Sequence, residues 1–102
     1  METPYPGIDK DTDGGMTDRG RILRDAWAFG LVPETETGAG WRRKRFEDLW
    51  ARVDDEWRRY DFRVGNLPDD IRARYDRIQA DALTAARAAG WDPNADLDAE
   101  EG

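Results

Sequence analysis

The 102-residue chain predicts an all-α fold, an antiparallel helical hairpin capped by a shorter N-terminal helix. Two long segments carry apolar residues at helical spacing, and proline- and glycine-bearing links separate them. Apolar–polar alternation is never sustained for more than about four residues, so no strand pattern competes.

The shorter helix is expected at about 18–29. Thr17 or Asp18 accepts a hydrogen bond from a first-turn amide, and Ile22, Leu23, Ala26, Trp27 and Phe29 follow. Gly30 and Pro33 stop it, and Gly20 costs it about 1 kcal/mol of helix propensity against alanine. The loop PETETGAG then leads into the first arm of the hairpin, about 41–61. At about 100° per residue, Phe46, Leu49, Trp50, Val53, Trp57 and Tyr60 share a stripe roughly 100° wide, the width of a core-facing side.

The second arm, about 68–89, opens on Pro68, whose missing N–H is harmless at a first helical position. Asp69 and Asp70 complement the positive end of the helix dipole. Ile71, Tyr75, Ile78, Ala82, Ala85, Ala86 and Ala89 share one face, and Gly90 is placed to end the helix in a left-handed conformation. The short link VGNLP folds the arms back on each other, with Phe46, Leu49 and Trp50 beside the alanine-lined end of the second arm.

These elements make one helical domain, 17–91, between a flexible acidic arm at 1–16 and a disordered acidic tail at 92–102. Neither end has the apolar periodicity that would bury a face. Met16 begins MTDRGRIL, a natural start that would leave the arm dispensable.

The chain has no cysteine and no histidine, which removes disulfides, thiolate nucleophiles and the commonest proton-transfer side chain. An enzyme is therefore not expected. Arginine supplies all the basic residues except Lys10 and Lys44, a bias associated with GC-rich genomes and with bacterial or phage accessory proteins. No apolar run approaches the roughly 20 residues that span a bilayer, and no signal-peptide pattern opens the chain, so a cytoplasmic protein without a membrane partner is expected. The net charge of −7 is concentrated at the ends: 1–16 carry −3, 90–102 carry −5, and 17–89 carry only +1.

The segment DKDTDGG places Asp9, Asp11 and Asp13 at alternate positions before a glycine turn. It resembles the opening of calcium-binding loops of the EF-hand type. The resemblance covers about six residues; the twelfth position, normally a bidentate glutamate, is Gly20, and Asp18 at the tenth would have to substitute. Calcium is the only cofactor so implied, and an acidic arm is the plainer alternative.

The segment WRRKRF at 41–46 clusters cations between aromatics, the combination that phosphate contact and base stacking require. Its plainer alternative is a solvated face paired with Glu47, Asp48 and the PETET loop. Trp50 and Trp57 belong to the core stripe, whereas Trp27 and Trp41 lie off their helices' main faces and Trp91 is expected to fold back on the hairpin. Glu47, Asp54, Glu56, Asp61, Asp76 and Asp81, all near arginines, are expected in rim ion pairs.

Together these features predict a non-enzymatic adaptor, accessory subunit or inhibitor. It would dock on a larger protein through Trp27, Trp41, Arg42, Arg43, Lys44 and Arg45. Nucleic-acid binding through 41–46 is the alternative, and homodimerisation is compatible with both.

Overall fold

The computed structural model describes residues 3–92 and is all-helical, with three α-helices and no strand among the described residues. They are α1 (Asp18–Ala28), α2 (Arg43–Arg58) and α3 (Asp69–Ala88). The tail expected to be disordered lies, from residue 93 onward, outside the described residues. No helix among the described residues is long and apolar enough to cross a membrane.

The expected boundaries hold to within three residues at every helix end. Thr17 caps α1, its hydroxyl accepting from the Gly20 amide at 3.3 Å. Gly30 (φ 71°) and Gly90 (φ 93°) end α1 and α3 in the left-handed region, where the next amide reaches back five residues: Leu31 N–H to Ala26 and Trp91 N–H to Ala86, both at 2.9 Å. Arg74 of α3 adds a further tie, its Nε donating to the Ala28 carbonyl at 2.9 Å.

Helix α1 packs against both α2 and α3 and so lies at the centre. Its Leu23 and Ala26 are fully enclosed and join Ile22, Tyr5, Trp41, Phe46, Leu49 and Val53 in the main core. The two arms meet directly where the Trp57 and Tyr75 rings stand edge to face, 5.8 Å apart. The alanine-lined end of α3 does not lie beside Phe46. Instead Ala86 packs on the backbone of Gly14, so closely that a Cβ there would come within 2.9 Å of the Ala86 Cα.

Residues 3–16, expected to form a flexible arm, are therefore part of the fold. Tyr5 is 6% exposed and its ring meets Phe46 edge to face at 5.2 Å. Backbone hydrogen bonds tie this segment to the loop before α2: Tyr5 N–H to Trp41 O at 2.8 Å, Gly40 N–H to Tyr5 O at 2.8 Å, and Ile8 N–H to Thr37 O at 2.9 Å.

The carboxylate of Asp11 organises the segment from within. It accepts from the Tyr5 hydroxyl at 2.6 Å, from the Asp13 amide at 2.8 Å and from the Thr17 hydroxyl. One buried side chain thus joins the core ring, the DTDGG turn and the cap of α1. Arg24, 3% exposed, fastens the turn from the other side by donating Nη1 to the Gly15 carbonyl. Gly20 is required for this closeness, because a Cβ there would overlap the Gly15 carbonyl oxygen.

Burial pushes the Asp11 carboxyl up, but donors from Thr17, Tyr5 and the amides of Asp13 and Gly15 outweigh it and hold the group below its usual value. A carboxylate with a depressed folded-state pKa stabilises the fold fully above its unfolded value of about 3.9, and that contribution is lost as pH falls through the folded value. Asp11→Ala is expected to destabilise the protein by roughly 2–4 kcal/mol in urea denaturation, because it strands the buried Tyr5 hydroxyl. Asp11→Asn should flatten the acid-unfolding profile below about pH 4. Gly20→Ala should also destabilise, although alanine is the better helix former, and urea denaturation would read it.

Candidate interaction surface

The basic cluster is built on a helix start that differs from the expected one. Trp41 precedes α2, Arg42 occupies its N-cap, and Phe46 is the fourth helical residue. An apolar residue just before the cap that packs on the fourth residue is a hydrophobic staple, and the Trp41 and Phe46 rings meet at 5.2 Å. Trp41 is consequently 5% exposed, a core residue rather than a docking one. Arg45 closes over it, its guanidinium carbon 3.9 Å from the ring centre and its Nη2 3.8 Å from Glu36.

The remaining cations of the cluster are exposed. Arg43 pairs with Glu47 at 3.7 Å and Lys44 with Asp48 at 2.9 Å, each one turn apart along α2. Arg42, at the cap, is exposed as well. With Trp41 and Phe46 both in the core, neither aromatic of the cluster offers a face for base stacking. The expected rim pairs also form for Glu56 with Arg59, Asp76 with Arg72, and Asp81 with Arg77.

Trp27 is half-buried. Its Nε1 donates to the Glu36 carbonyl at 3.0 Å and holds the 31–40 loop against α1. The ring also walls an apolar groove of about 270 Å³ that Ile8, Ile78, Ala82 and Ala85 complete. Trp91 is half-buried and lines a hollow with Thr12 and Asp13 of the N-terminal segment.

The four acidic residues of the calcium reading do not converge. Asp11 is buried and occupied by its donors, whereas Asp9, Asp13 and Asp18 are exposed. Among the described residues no cluster of three or more acidic, cysteine or histidine side chains is placed to hold a metal ion.

The exposed aromatic surface lies elsewhere, on α2. Trp50, expected in the core, is 44% exposed. Phe46, Leu49 and Val53 point to one flank of the apolar stripe and are covered by α1, Tyr5 and Trp41; Trp50 and Trp57, seven residues apart, share the other flank. Trp57 is closed over by Phe29, at 5.0 Å, and by Tyr75, whereas Trp50 stays 44% exposed.

The flank ends at Phe62, which is 58% exposed. Asp61 (φ 54°) and Phe62 (φ 57°) both adopt left-handed backbone after α2, a conformation that costs a non-glycine residue roughly 1 kcal/mol or more. The Phe62 amide donates to the Trp57 carbonyl at 3.0 Å and closes the helix end. Phe62, Trp57 and Tyr75 line a cleft of about 270 Å³ together with Val64, Arg21 and Asp25. Asp25 is half-buried, and one of its oxygens accepts from Trp57 Nε1 at 3.2 Å. Burial pushes this carboxyl above its usual value, against the opposing effects of the Trp57 bond, Arg24 and Arg21.

Comparison with protein-family models, with curated proteins and with solved structures returns no match to this chain.

The two tryptophans read wrongly from spacing should separate in stability. Trp41→Ala is expected to cost roughly 3–5 kcal/mol in urea denaturation, whereas Trp50→Ala should change stability by under about 1 kcal/mol.

Proposed function

We propose that this chain is a non-enzymatic interaction protein, a small cytoplasmic accessory subunit or inhibitor of bacterial or phage type that docks on a larger protein. Its docking surface is the aromatic flank of α2 running from Trp50 past Trp57 to Phe62. The observation that carries this reading is the exposure of Trp50 and Phe62, the two large apolar side chains left open to solvent among the described residues. Tryptophan anchors dominate binding energy where they become buried on contact, and water-exposed aromatics on one flank supply such anchors before the partner arrives. Strain at Phe62 supports the same reading, because the chain holds a bulky apolar ring outward in a backbone conformation that favours glycine.

The footprint therefore moves from Trp27 and Trp41 to Trp50 and Phe62, while Arg43 and Lys44, on the first turn of the same helix, remain beside it as exposed charges. Charges at the rim tune association rate more than affinity, so they belong to the edge of the contact.

The test is affinity capture from the native host, with the wild type and a Trp50→Ala/Phe62→Ala variant in parallel and the intact complexes weighed. The wild type is expected to retain a stoichiometric protein partner that the double variant loses, with the variant's circular dichroism unchanged. Equal retention by both chains would overturn the assignment, and so would an intact mass equal to two copies of this chain.

A further inference from the structure

We infer that the cleft between Asp25, Trp57, Phe62 and Tyr75 is a receptor for a cationic side chain, a lysine ammonium or an arginine guanidinium presented by the docked partner. The inference rests on the docking reading for its biological setting, since the cleft forms the end of the proposed aromatic flank.

Three features of the cleft fit this ligand class. Its walls include Trp57, Phe62 and Tyr75, and the faces of aromatic rings attract cations through their quadrupoles. Asp25 supplies the counter-charge within the same cleft, half-buried and fixed in direction by the Trp57 indole at 3.2 Å. The volume, about 270 Å³, admits an alkylammonium or guanidinium head with its last methylenes.

The electrostatics favour a cation over other occupants. Asp25 is a carboxylate whose ionised form is penalised by burial, so a positive guest that stands in for lost water is stabilised in proportion. An anion would meet Asp25 at close range. A neutral apolar side chain would leave the carboxylate drier still without pairing it.

Arg21, one helical turn before Asp25 and exposed, lines the cleft as the resident competitor for the same charge. Arg24, next to Asp25 in sequence, donates to the Gly15 carbonyl and Met16 Sδ and offsets the charge of Asp25 from there. Within the cleft the guest thus competes with the Arg21 guanidinium.

The test needs no partner. ¹⁵N-labelled full-length protein is titrated with butylammonium chloride and, separately, methylguanidinium chloride, against sodium chloride at equal ionic strength, with the Trp57 indole N–H resonance as the readout. A saturable shift of that resonance by at least one organic cation is expected, with none from sodium, and the tighter probe identifies the preferred head group.

Asp25→Asn keeps an acceptor for the indole while removing the charge and is expected to weaken binding about tenfold. Phe62→Ala, at an exposed position, should weaken it severalfold, and Arg21→Ala should tighten it. The inference is overturned if the shift is linear rather than saturable for both cations, or if Asp25→Asn and Phe62→Ala bind as the wild type does. A saturable cation site in a chain whose Trp50→Ala/Phe62→Ala variant keeps its partner would sink the docking reading alone. Loss of the partner by that variant with no cation binding would sink this inference alone.

Discussion

The carboxylate of Asp11 is the interaction on which the rest of the structure depends. It receives the Tyr5 hydroxyl, the Asp13 amide and the Thr17 hydroxyl within one buried site. Each donor belongs to a different part of the chain, so the site fixes the entry of the N-terminal segment, the turn before α1 and the cap of α1 together. Charge-assisted hydrogen bonds of this kind are among the stronger ones, and their removal strands buried partners as well as breaking the bond. Tyr5 then covers Phe46, and Phe46 holds Trp41, so the polar site also sets the position from which α2 starts.

That placement decides what is left at the surface. Helix α1 covers Phe46, Leu49 and Val53 on one flank of the α2 stripe and, with Phe29 and Tyr75, closes over Trp57 on the other, while Trp50 stays 44% exposed. A small chain cannot enclose every large side chain, and among the described residues the large apolar ones left exposed are Trp50 and Phe62. The proposed docking flank is thus a consequence of how α2 and α3, of unequal length, share the central α1. The cleft at Asp25 arises at the same junction, where the ends of α2 and the start of α3 leave a gap over α1.

The helices were legible because their signals are local. Thr17, Gly30 and Gly90 act within one or two turns, and the structure uses each where the sequence places it; Pro68 stands at the N-cap of α3, one residue before the helical position expected for it. The N-terminal segment was not legible, because Tyr5 and Asp11 obey no period; they act through polar contacts across the chain, and periodicity finds only faces. Trp41 was misread for a different reason. Taken as a helical residue it falls off the main face, whereas taken as the residue before the cap it pairs with Phe46 five positions on, a spacing visible in the sequence. Trp50 lies within the apolar stripe of α2, and its exposure follows only from how the helices pack, which no local pattern encodes.

The dependence on the N-terminal segment is tested most directly by a chain that begins at Met16, compared with the full chain in urea denaturation followed by tryptophan fluorescence. Removing Tyr5 and Asp11 opens the core around Phe46 and takes away the acceptor of the Thr17 hydroxyl, so the shortened chain is expected to lose its cooperative transition or shift its midpoint far toward lower urea. An unchanged midpoint and slope would contradict the account.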